Sequence, residues 1–264
     1  MRSHAVRHAP WSIGLIAACV GLAAPVIRAQ DAPAPLRQLE ARGAEVGESF
    51  KAPGGMTGYT IEMQGRTMTA YVLPGGEHAL IGTLIDADGN NLSRAHLEEA
   101  QSEALGPATW SQLGESDWIR DGAPDAERVI YVFTDPNCPF CHRFWKSARP
   151  WVEAGRVQLR HIMVGILKPD SAPKSATLLA AENPVQALVE HERNYAEGGV
   201  SPATEIPDEA DRAVRRNNAL MKELGFRATP TVLYRRSDGE VGSKQGQPRG
   251  NELERIMGGP APGS

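Results

Sequence analysis

The sequence predicts a mixed protein of the α+β / α/β class, in which a small strand-rich segment precedes a larger domain of alternating strands and helices. Two observations predict it. Residues 59–85 contain three strand-like runs separated by glycine-containing turns, which is typical of an antiparallel meander. Further along the chain, buried-strand patterns alternate with helix patterns, which is typical of βαβ units. We therefore expect an N-terminal domain over 30–90, a linker helix region over 91–120 and a larger domain over 121–264.

Composition limits the class of protein and its partners. The chain has 264 residues, of which 41% are hydrophobic and 23% charged, and its formal net charge is −4. These values fit one or two globular domains and exclude a collagen-like repeat, a disordered acidic chain and a many-pass membrane protein. Because Lys and Arg are not in excess, we expect no nucleic-acid partner.

The first 29 residues have the features of a secretory signal peptide. Arg2 and Arg7 precede an almost uncharged apolar run, and Ala29 supplies a small residue for cleavage. We expect export, with cleavage after Ala29. A second interpretation stays open, in which Cys19 is the lipidated cysteine of a bacterial lipoprotein. A permanent transmembrane helix is the weaker interpretation, because glycines and a proline interrupt the run.

The N-terminal domain is predicted from one helix and three strands. Leu36 and Leu39 are spaced as on an amphipathic helix. The strand-like runs are Tyr59–Met63, Thr67–Leu73 and Ala79–Ile85. So small a unit buries little apolar surface by itself, so we expect a partner surface in a homodimer to stabilise it. The alternative, that it packs on the larger domain of its own chain, stays open.

In residues 86–91, carboxylate side chains occur at alternate positions, as they do in a calcium-binding loop. Such a loop requires glycine at its sixth position and a bidentate glutamate at its twelfth, where this chain has Asn91 and Leu97. We predict instead a turn that leads into the linker helix, with Ser93 or Asn91 as its N-cap.

The larger domain begins with a predicted βαβ unit. Arg128–Phe133 and Arg156–Val164 are runs suited to buried strands, and Pro139–Glu153 between them has a helical pattern that ends at Gly155. Further helices are predicted at 173–181, 184–196 and 208–224, followed by a strand over 231–234, a turn at 237–239 and a terminal helix near 252–257.

After signal cleavage, Cys138 and Cys141 are the only cysteines. A Cys-x-x-Cys bridge closes too short a loop to stabilise a fold much, so the pair indicates reactivity. Cys138 follows a strand and begins a helix, where free backbone N–H groups and the helix dipole stabilise a thiolate. We expect Cys138 at the exposed helix end as the attacking sulfur, and Cys141, more buried, as the resolving thiol. Pro139 suits the first helical position.

Three other interpretations of the Cys138–Cys141 pair stay open. A structural zinc site usually needs four ligands, and the chain has no second cysteine pair and no histidines at ligand spacing. A c-type haem is the sharper rival, because Cys138 to His142 satisfies its attachment pattern, although a covalent haem needs a pocket of its own. The third interpretation is two inert core cysteines. We favour dithiol–disulfide chemistry, with no metal and no cofactor beyond the Cys138–Cys141 pair.

Several segments carry a resemblance to a known family. The chain resembles the periplasmic disulfide isomerases DsbC and DsbG, most strongly over 128–260, and its Cys-Pro-aromatic-Cys motif, Trp110, Trp118 and lack of a second disulfide are closer to the DsbG branch. The matching segments are Phe133–Cys141, Phe144–Trp145, Ala148–Val152 and Ala228–Pro230.

The resemblance implies an architecture and a set of partners. We expect a V-shaped homodimer joined through cystatin-like N-terminal domains, with a thioredoxin-like catalytic domain on each arm that carries a helical insertion over about 168–225. The implied location is the periplasm. The implied partners are oxidised or unfolded exported proteins and a membrane thiol reductase of the DsbD kind.

The resemblance also implies site roles. Cys138 would be the attacking thiolate and Cys141 its partner, with Pro139 and Phe140 tuning the motif. Thr229 and Pro230 match the loop whose cis proline faces the motif; there the backbone can pair with a substrate chain and Thr229 can tune the sulfur through a hydrogen bond.

One departure concerns proton transfer. Six residues before the first cysteine, many thioredoxin-like proteins have a buried acid, and this chain has Val132. Proton transfer must therefore use another group or water. Asp135 is nearby in sequence, but we interpret it as a turn residue.

The predicted function is that of an exported thiol:disulfide oxidoreductase that reduces or rearranges substrate disulfides. Sulfenic acids on single cysteines are a further substrate class, since they present the same electrophilic sulfur. The alternative is a dimeric chaperone whose cleft holds unfolded chains, with the cysteines secondary.

Overall fold

The structure is a computed structural model that describes residues 32–64, 66–103, 105–106 and 108–263. The predicted signal peptide, with Ala29 and Cys19, lies outside the described residues. Within the described residues, no helix is both long and apolar enough to cross a membrane.

The N-terminal region contains the predicted helix and meander. Helix α1 (Ala34–Glu40) precedes a four-stranded antiparallel sheet in the order β1-β2-β3-β4. Its strands are β1 (Glu45–Lys51), β2 (Thr57–Met63), β3 (Arg66–Val72) and β4 (Ala79–Ile81). Strand β1 was not predicted, because most of its residues are exposed and it lacks an apolar alternation. The third predicted run ends at Ile81 rather than Ile85.

The linker begins with a turn and the helix α2 (Arg94–Glu103). The turn is as predicted, since Asp86 Oδ1 accepts hydrogen bonds from the amides of Asp88 (3.0 Å) and Asn90 (2.8 Å). Ser93 directly precedes α2, at the predicted N-cap position, and its carbonyl accepts from the Leu97 amide at 3.1 Å. The Ser93 hydroxyl accepts from the amide of Leu84 (2.8 Å), and Asn91 Oδ1 accepts from the amide of Ser93 itself (2.9 Å).

The larger domain is built on a five-stranded mixed sheet in the order β5-β7-β6-β8-β9. Its strands are β5 (Trp118–Asp121), β6 (Arg128–Thr134), β7 (Val157–Met163), β8 (Thr231–Arg235) and β9 (Val241–Gln245). Strands β6 and β7 are parallel and the other pairs antiparallel. The remaining helices are α3 (Thr109–Glu115), α4 (Pro139–Glu153), α5 (Ser171–Ala180), α6 (Pro184–Arg193), α7 (Asp208–Glu223) and α8 (Gly250–Met257).

The predicted βαβ unit is β6-α4-β7, and α4 has the predicted bounds. The predicted domain boundary between residues 120 and 121 falls inside β5, which belongs to the sheet of the larger domain. Helices α5, α6 and α7 lie between β7 and β8, within the predicted insertion over 168–225.

Both faces of the sheet are covered, which explains the continuous apolar run of β6. On one face, Val132 packs in a cluster with Phe144 and Trp151 of α4. On the other, Phe133 packs with Phe226 and residues that include Leu113 of α3. The first cluster fixes α4, and therefore the motif at its N-terminus, to the centre of the sheet.

Helix α2 contacts both parts of the chain. Phe50 of β1 stacks on His96 of α2, with ring centroids 3.6 Å apart. Toward the larger domain, Lys244 of β9 forms ion pairs with Glu98 of α2 and with Glu252 of α8. The N-terminal sheet therefore packs on the larger domain of its own chain through α2, as the open alternative allowed.

Candidate active site

Cys138 is the N-cap residue of α4, and its Sγ accepts a hydrogen bond from the Cys141 amide at 3.3 Å. The pKa of Cys138 is lowered to about 6, and the largest cause is the hydrogen bond with the Cys141 side chain. Burial opposes this shift. Hydrogen bonds with Thr229 and with the backbone amides of Cys141 and Phe140 lower the pKa further. Cys138 is therefore mainly a thiolate at neutral pH, the form that attacks disulfides.

Cys141 has the opposite tendency. Burial raises the pKa of its thiol well above the ordinary value, and the neighbouring Cys138 raises it further. Neither Cys138 nor Cys141 is in a disulfide. The proton shared between the two sulfurs therefore stays on Cys141, which leaves the negative charge on Cys138.

The expectation of an exposed Cys138 is wrong. Its exposed fraction is 1%, against 3% for Cys141. The Cys138 thiol points at the loop before β8, where it donates to the carbonyl oxygen of Thr229 at 3.3 Å. The exposed side chain of the motif is Phe140, at 45%.

The loop facing Cys138 has the predicted cis bond between Thr229 and Pro230. The neutral Cys138 thiol donates a hydrogen bond to the Thr229 carbonyl. The Thr229 hydroxyl, in contrast, is buried without a hydrogen-bond partner among the described residues. A carbonyl cannot donate to a thiolate, but a hydroxyl can. The free hydroxyl is therefore the group of Thr229 able to bond the ionised sulfur.

Asp135 organises the turn that precedes the motif. Its buried carboxylate accepts from the Asn137 amide (2.9 Å), the amides of Ile166 (2.8 Å) and Leu167 (3.0 Å), and the Ser171 hydroxyl (2.8 Å). The interpretation as a turn residue is correct but incomplete, because the same side chain ties the motif to the start of the insertion.

Asn137 extends this connection. Its side-chain amide donates to Asp170 Oδ1 (3.0 Å) and to the Ser171 hydroxyl (2.9 Å), and its side-chain oxygen accepts from Lys174 Nζ (3.1 Å). Its backbone carbonyl accepts from the Tyr195 hydroxyl at 3.0 Å. The insertion therefore fixes the residue immediately before Cys138.

His191 of α6 hydrogen-bonds the carbonyl of Pro136, the residue before Asn137. The Val200 amide donates to His191 Nδ1 at 3.0 Å, so the ring proton lies on Nε2, which donates to the Pro136 carbonyl at 3.0 Å. Burial lowers the pKa of His191 to about 4, so the ring is neutral at physiological pH. Sequence reasoning missed His191, Asn137 and Lys174, since residues 30 to 60 positions apart give no local signal of contact.

His142, which completes the haem-like pattern, is held by protein contacts. Its Nδ1 lies 2.8 Å from Glu192 Oε2, and its ring stacks on Tyr195 with centroids 4.4 Å apart. Glu192 is buried on α6, and burial raises the pKa of its carboxyl to about 7.

Behind the motif, a polar cluster lies beside Val132. The β7 residue in register with Val132 is His161, whose Nδ1 is 3.0 Å from the Thr134 hydroxyl and whose Nε2 is 3.4 Å from Asp121. Asp121 also forms a two-pronged ion pair with Arg149. Despite burial, hydrogen bonds from His161 and Arg149 hold the pKa of Asp121 well below its usual range.

The zinc interpretation requires a cluster of metal-ligating side chains. No group of three or more His, Cys, Asp or Glu residues there is arranged to hold a metal ion.

A central mixed sheet, a Cys-x-x-Cys pair at the start of a helix and a cis-proline loop against the first sulfur define a thioredoxin-like thiol:disulfide oxidoreductase. Residues 120–258 match the thioredoxin-like domain family. The chain is 43% identical to the thiol:disulfide interchange protein DsbG of Pseudomonas aeruginosa over 93% of this chain and 95% of that protein. It is 35% identical to DsbG of Escherichia coli over 87% of this chain and 93% of that protein. The chain belongs to the DsbC/DsbG family of thiol:disulfide interchange proteins.

The chain is also similar to a solved structure. The catalytic domain of Proteus mirabilis ScsC is 21% identical, with a TM-score of 0.49 over 60% of this chain and 96% of that one.

Proposed function

We propose that Cys138 is the attacking sulfur of a periplasmic disulfide reductase or isomerase and that Cys141 is the resolving thiol. The observation that carries this assignment is the position of Cys138 as the N-cap of α4, where its Sγ accepts from the Cys141 amide at 3.3 Å. In agreement with this position, the pKa of Cys138 is lowered to about 6, whereas burial raises the pKa of Cys141. The first step needs a thiolate, and the second sulfur should remain protonated until a mixed disulfide exists.

The reaction balances with the two sulfurs alone. The Cys138 thiolate attacks one sulfur of a substrate disulfide, a mixed disulfide forms, and the other substrate sulfur leaves as a thiolate. In isomerisation, another substrate thiolate attacks the mixed disulfide and regenerates Cys138. In reduction, Cys141 loses its proton and attacks Cys138, which yields the enzyme disulfide and releases the substrate thiolate.

Sulfenic acids undergo the same first step. The Cys138 thiolate attacks the electrophilic sulfur of R–SOH, and the hydroxide that leaves takes up a proton to give water. Cys141 then resolves the mixed disulfide as before. The enzyme ends oxidised in both reductions, so it requires a thiol donor, for which we propose a membrane reductase of the DsbD kind.

The groove beside Cys138 is the proposed substrate-binding site. Exposed Phe140, Thr229 and the 245–247 segment line this groove, and Leu97 of α2 lines it as well. Phe140 offers apolar contact to the residues that flank a substrate cysteine. We propose that substrate backbone lies along Thr229 and Pro230.

The homodimer proposal rests on the edge of the N-terminal sheet. Strand β4 is an edge strand, and Leu80, Ile81 and the nearby Ile85 are 61%, 47% and 63% exposed. An apolar edge with unpaired backbone groups favours pairing with another chain. A second copy of β4 is the partner we propose, which would join the chains at their N-terminal domains.

A chaperone role is the second candidate, and exposed apolar side chains favour it. Ile166 and Leu167, which Asp135 ties to the motif turn, are 43% and 48% exposed, and Phe140 is exposed as well. Such a surface would hold unfolded chains before their cysteines react. Suppression of aggregation that survives in Cys138→Ser would support a chaperone role separate from the redox one.

Trapping of substrates tests the assignment. In Cys141→Ala, mixed disulfides with exported proteins should accumulate on a non-reducing gel, because release then depends on an outside thiol. Cys138→Ala should show none. Adducts in Cys138→Ala, or their absence from Cys141→Ala, would reverse the two roles. Mass spectrometry of the captured proteins then distinguishes paired from single cysteines, and so disulfide from sulfenic-acid substrates.

A further inference from the structure

The resolving step poses a proton problem. Cys141 must lose its proton to attack Cys138, yet burial raises the pKa of its thiol well above the ordinary value. Val132, where related folds have an acid, is buried and apolar. A proton acceptor must therefore come from another element of the structure.

Two of the three buried carboxyl groups around the motif are poor acceptors. Asp135 already accepts four hydrogen bonds, which use its lone pairs. Asp121 is committed to the two-pronged ion pair with Arg149, and its pKa is held well below its usual range. An anion so stabilised does not take up a proton near neutral pH.

Glu192 is the third carboxyl group and differs from both. It is 2% exposed. Within the described part of the chain its one side-chain hydrogen bond is to His142 Nδ1, at 2.8 Å. Burial raises its pKa to about 7, so the carboxyl group exchanges protons near neutral pH. It thus has the free acceptor capacity that Asp135 lacks and a raised pKa, whereas the pKa of Asp121 is held low.

The contacts of Glu192 connect it to the residue that directly follows the motif. Its partner His142 directly follows Cys141 on α4, and the His142 ring stacks on Tyr195, whose hydroxyl holds the carbonyl of Asn137 next to Cys138. The His142 side chain is 21% exposed. The pair therefore links the interior behind the motif to solvent.

We propose that Glu192 is the proton acceptor of the resolving step and that His142 exchanges this proton with solvent. This inference rests on the proposed role of Cys141 as the resolving thiol. In the mixed disulfide, the Cys141 proton passes to the Glu192 carboxylate, the Cys141 sulfur bonds to Cys138, and the Cys138–substrate bond breaks with its electron pair on the substrate sulfur. Protonated Glu192 then returns the proton to solvent through His142.

The charges around Glu192 set the timing of this transfer. Burial is the largest influence on the pKa of Glu192. The charges of His161 of β7 and Arg149 of α4 lower this pKa, and those of Asp121 of β5 and Cys138 raise it. His142 itself favours the neutral state, because burial and nearby Lys146 lower its pKa.

When Cys138 is in a mixed disulfide its negative charge is gone, so the pKa of Glu192 falls and the carboxylate form increases just before resolution. Reduction of the pair restores the charge, and Glu192 takes a proton back.

The test uses 5,5′-dithiobis(2-nitrobenzoate) with the full mature chain. The first nitrothiobenzoate released reports attack by Cys138, and the second reports resolution by Cys141. For Glu192→Gln we expect the second phase to slow at least tenfold between pH 6 and 8 and to lose its rise near pH 7. Glu190→Gln, which removes an exposed carboxyl group from the same helix, is the matched control and should behave as the wild type.

The first phase separates the possible outcomes. If it is preserved in Glu192→Gln and the second is slowed, the assignment stands. A second phase within twofold of the wild type at every pH, or equal slowing of both phases, overturns it. If Glu192→Gln does not fold, His142→Asn decides in the same way. A wild type that releases no second nitrothiobenzoate contradicts the proposed function instead.

Discussion

The turn before Cys138 and the edge of the N-terminal sheet differ in how far the rest of the chain covers them and supplies hydrogen-bond partners. Around the turn, Asp135 and Asn137 make seven side-chain hydrogen bonds, all to residues of the same chain. At β4, Leu80 and Ile81 stay exposed on a strand that, among the described residues, has no neighbour on one side. The comparison teaches that the insertion supplies the hydrogen-bond partners of the site, whereas one edge of the N-terminal sheet stays uncovered in the described residues.

The largest expected effect is on the turn. Asp135→Asn removes the negative charge that accepts four hydrogen bonds, and it places an NH₂ group opposite hydrogen-bond donors. We therefore expect the free energy of unfolding to fall by about 3 kcal/mol. Urea denaturation measures it. Asp125→Asn, at an exposed position, is the control and should change stability by less than about 0.5 kcal/mol. Equal effects of the two changes would show that the network does not hold the turn.

The next effect is on assembly. Leu80→Lys with Ile81→Lys places charges on the edge of β4, which opposes pairing between chains. We expect light scattering to change from a dimer to a monomer at micromolar concentration, while reaction with a small aromatic disulfide is retained. Val185→Lys, an exposed apolar residue at the start of α6, is the control. A monomeric wild type would contradict the dimer.

A smaller effect is expected at the loop facing the sulfur. Thr229→Val keeps the shape of the side chain but removes the buried hydroxyl, which has no hydrogen-bond partner in the part of the chain that the structure describes. The pKa of Cys138 should rise, because a donor to the thiolate is lost. Thiolate absorbance near 240 nm measures the shift. An unchanged pKa would mean that the hydroxyl does not reach the ionised sulfur.

The smallest expected signal concerns haem. His142 is hydrogen-bonded to Glu192 and stacked on Tyr195, so the ring is engaged by protein groups rather than directed into a ligand pocket. Protein purified from a periplasmic fraction should be colourless. A Soret band that survives acid-acetone extraction would replace the dithiol interpretation with the c-type haem interpretation.

Local signals allowed part of the fold to be predicted. Helix α4 was predicted with correct bounds because Pro139 fits the first helical position and Gly155 follows the last turn. Strand β9 was missed because after Val241 it reads Gly-Ser-Lys-Gln, whose burial depends on contacts with α2 and α8. Strand β5 was missed because it has four residues and one buried apolar side chain, Ile119.

The candidate site divides in the same way. The cysteines and the Thr229–Pro230 loop carry family motifs, so sequence alone found them. The burial of Cys138 was not foreseen, because it depends on a carbonyl 91 positions away. Glu192 was missed for a related reason: its environment is assembled from α4, β5 and β7, and a glutamate on an amphipathic helix gives no sign of burial.

The most direct test of the central claim is the titration of Cys138 in the reduced protein. The folded pKa, about 6, lies below that of an unfolded thiol, so the thiolate stabilises the reduced fold above the unfolded pKa, and this contribution is lost as the pH falls through 6. We predict that absorbance near 240 nm shows one thiolate forming with a midpoint near pH 6, absent from Cys138→Ala and present in Cys141→Ala at a higher midpoint. A midpoint of about 8 or above in the wild type would contradict the account.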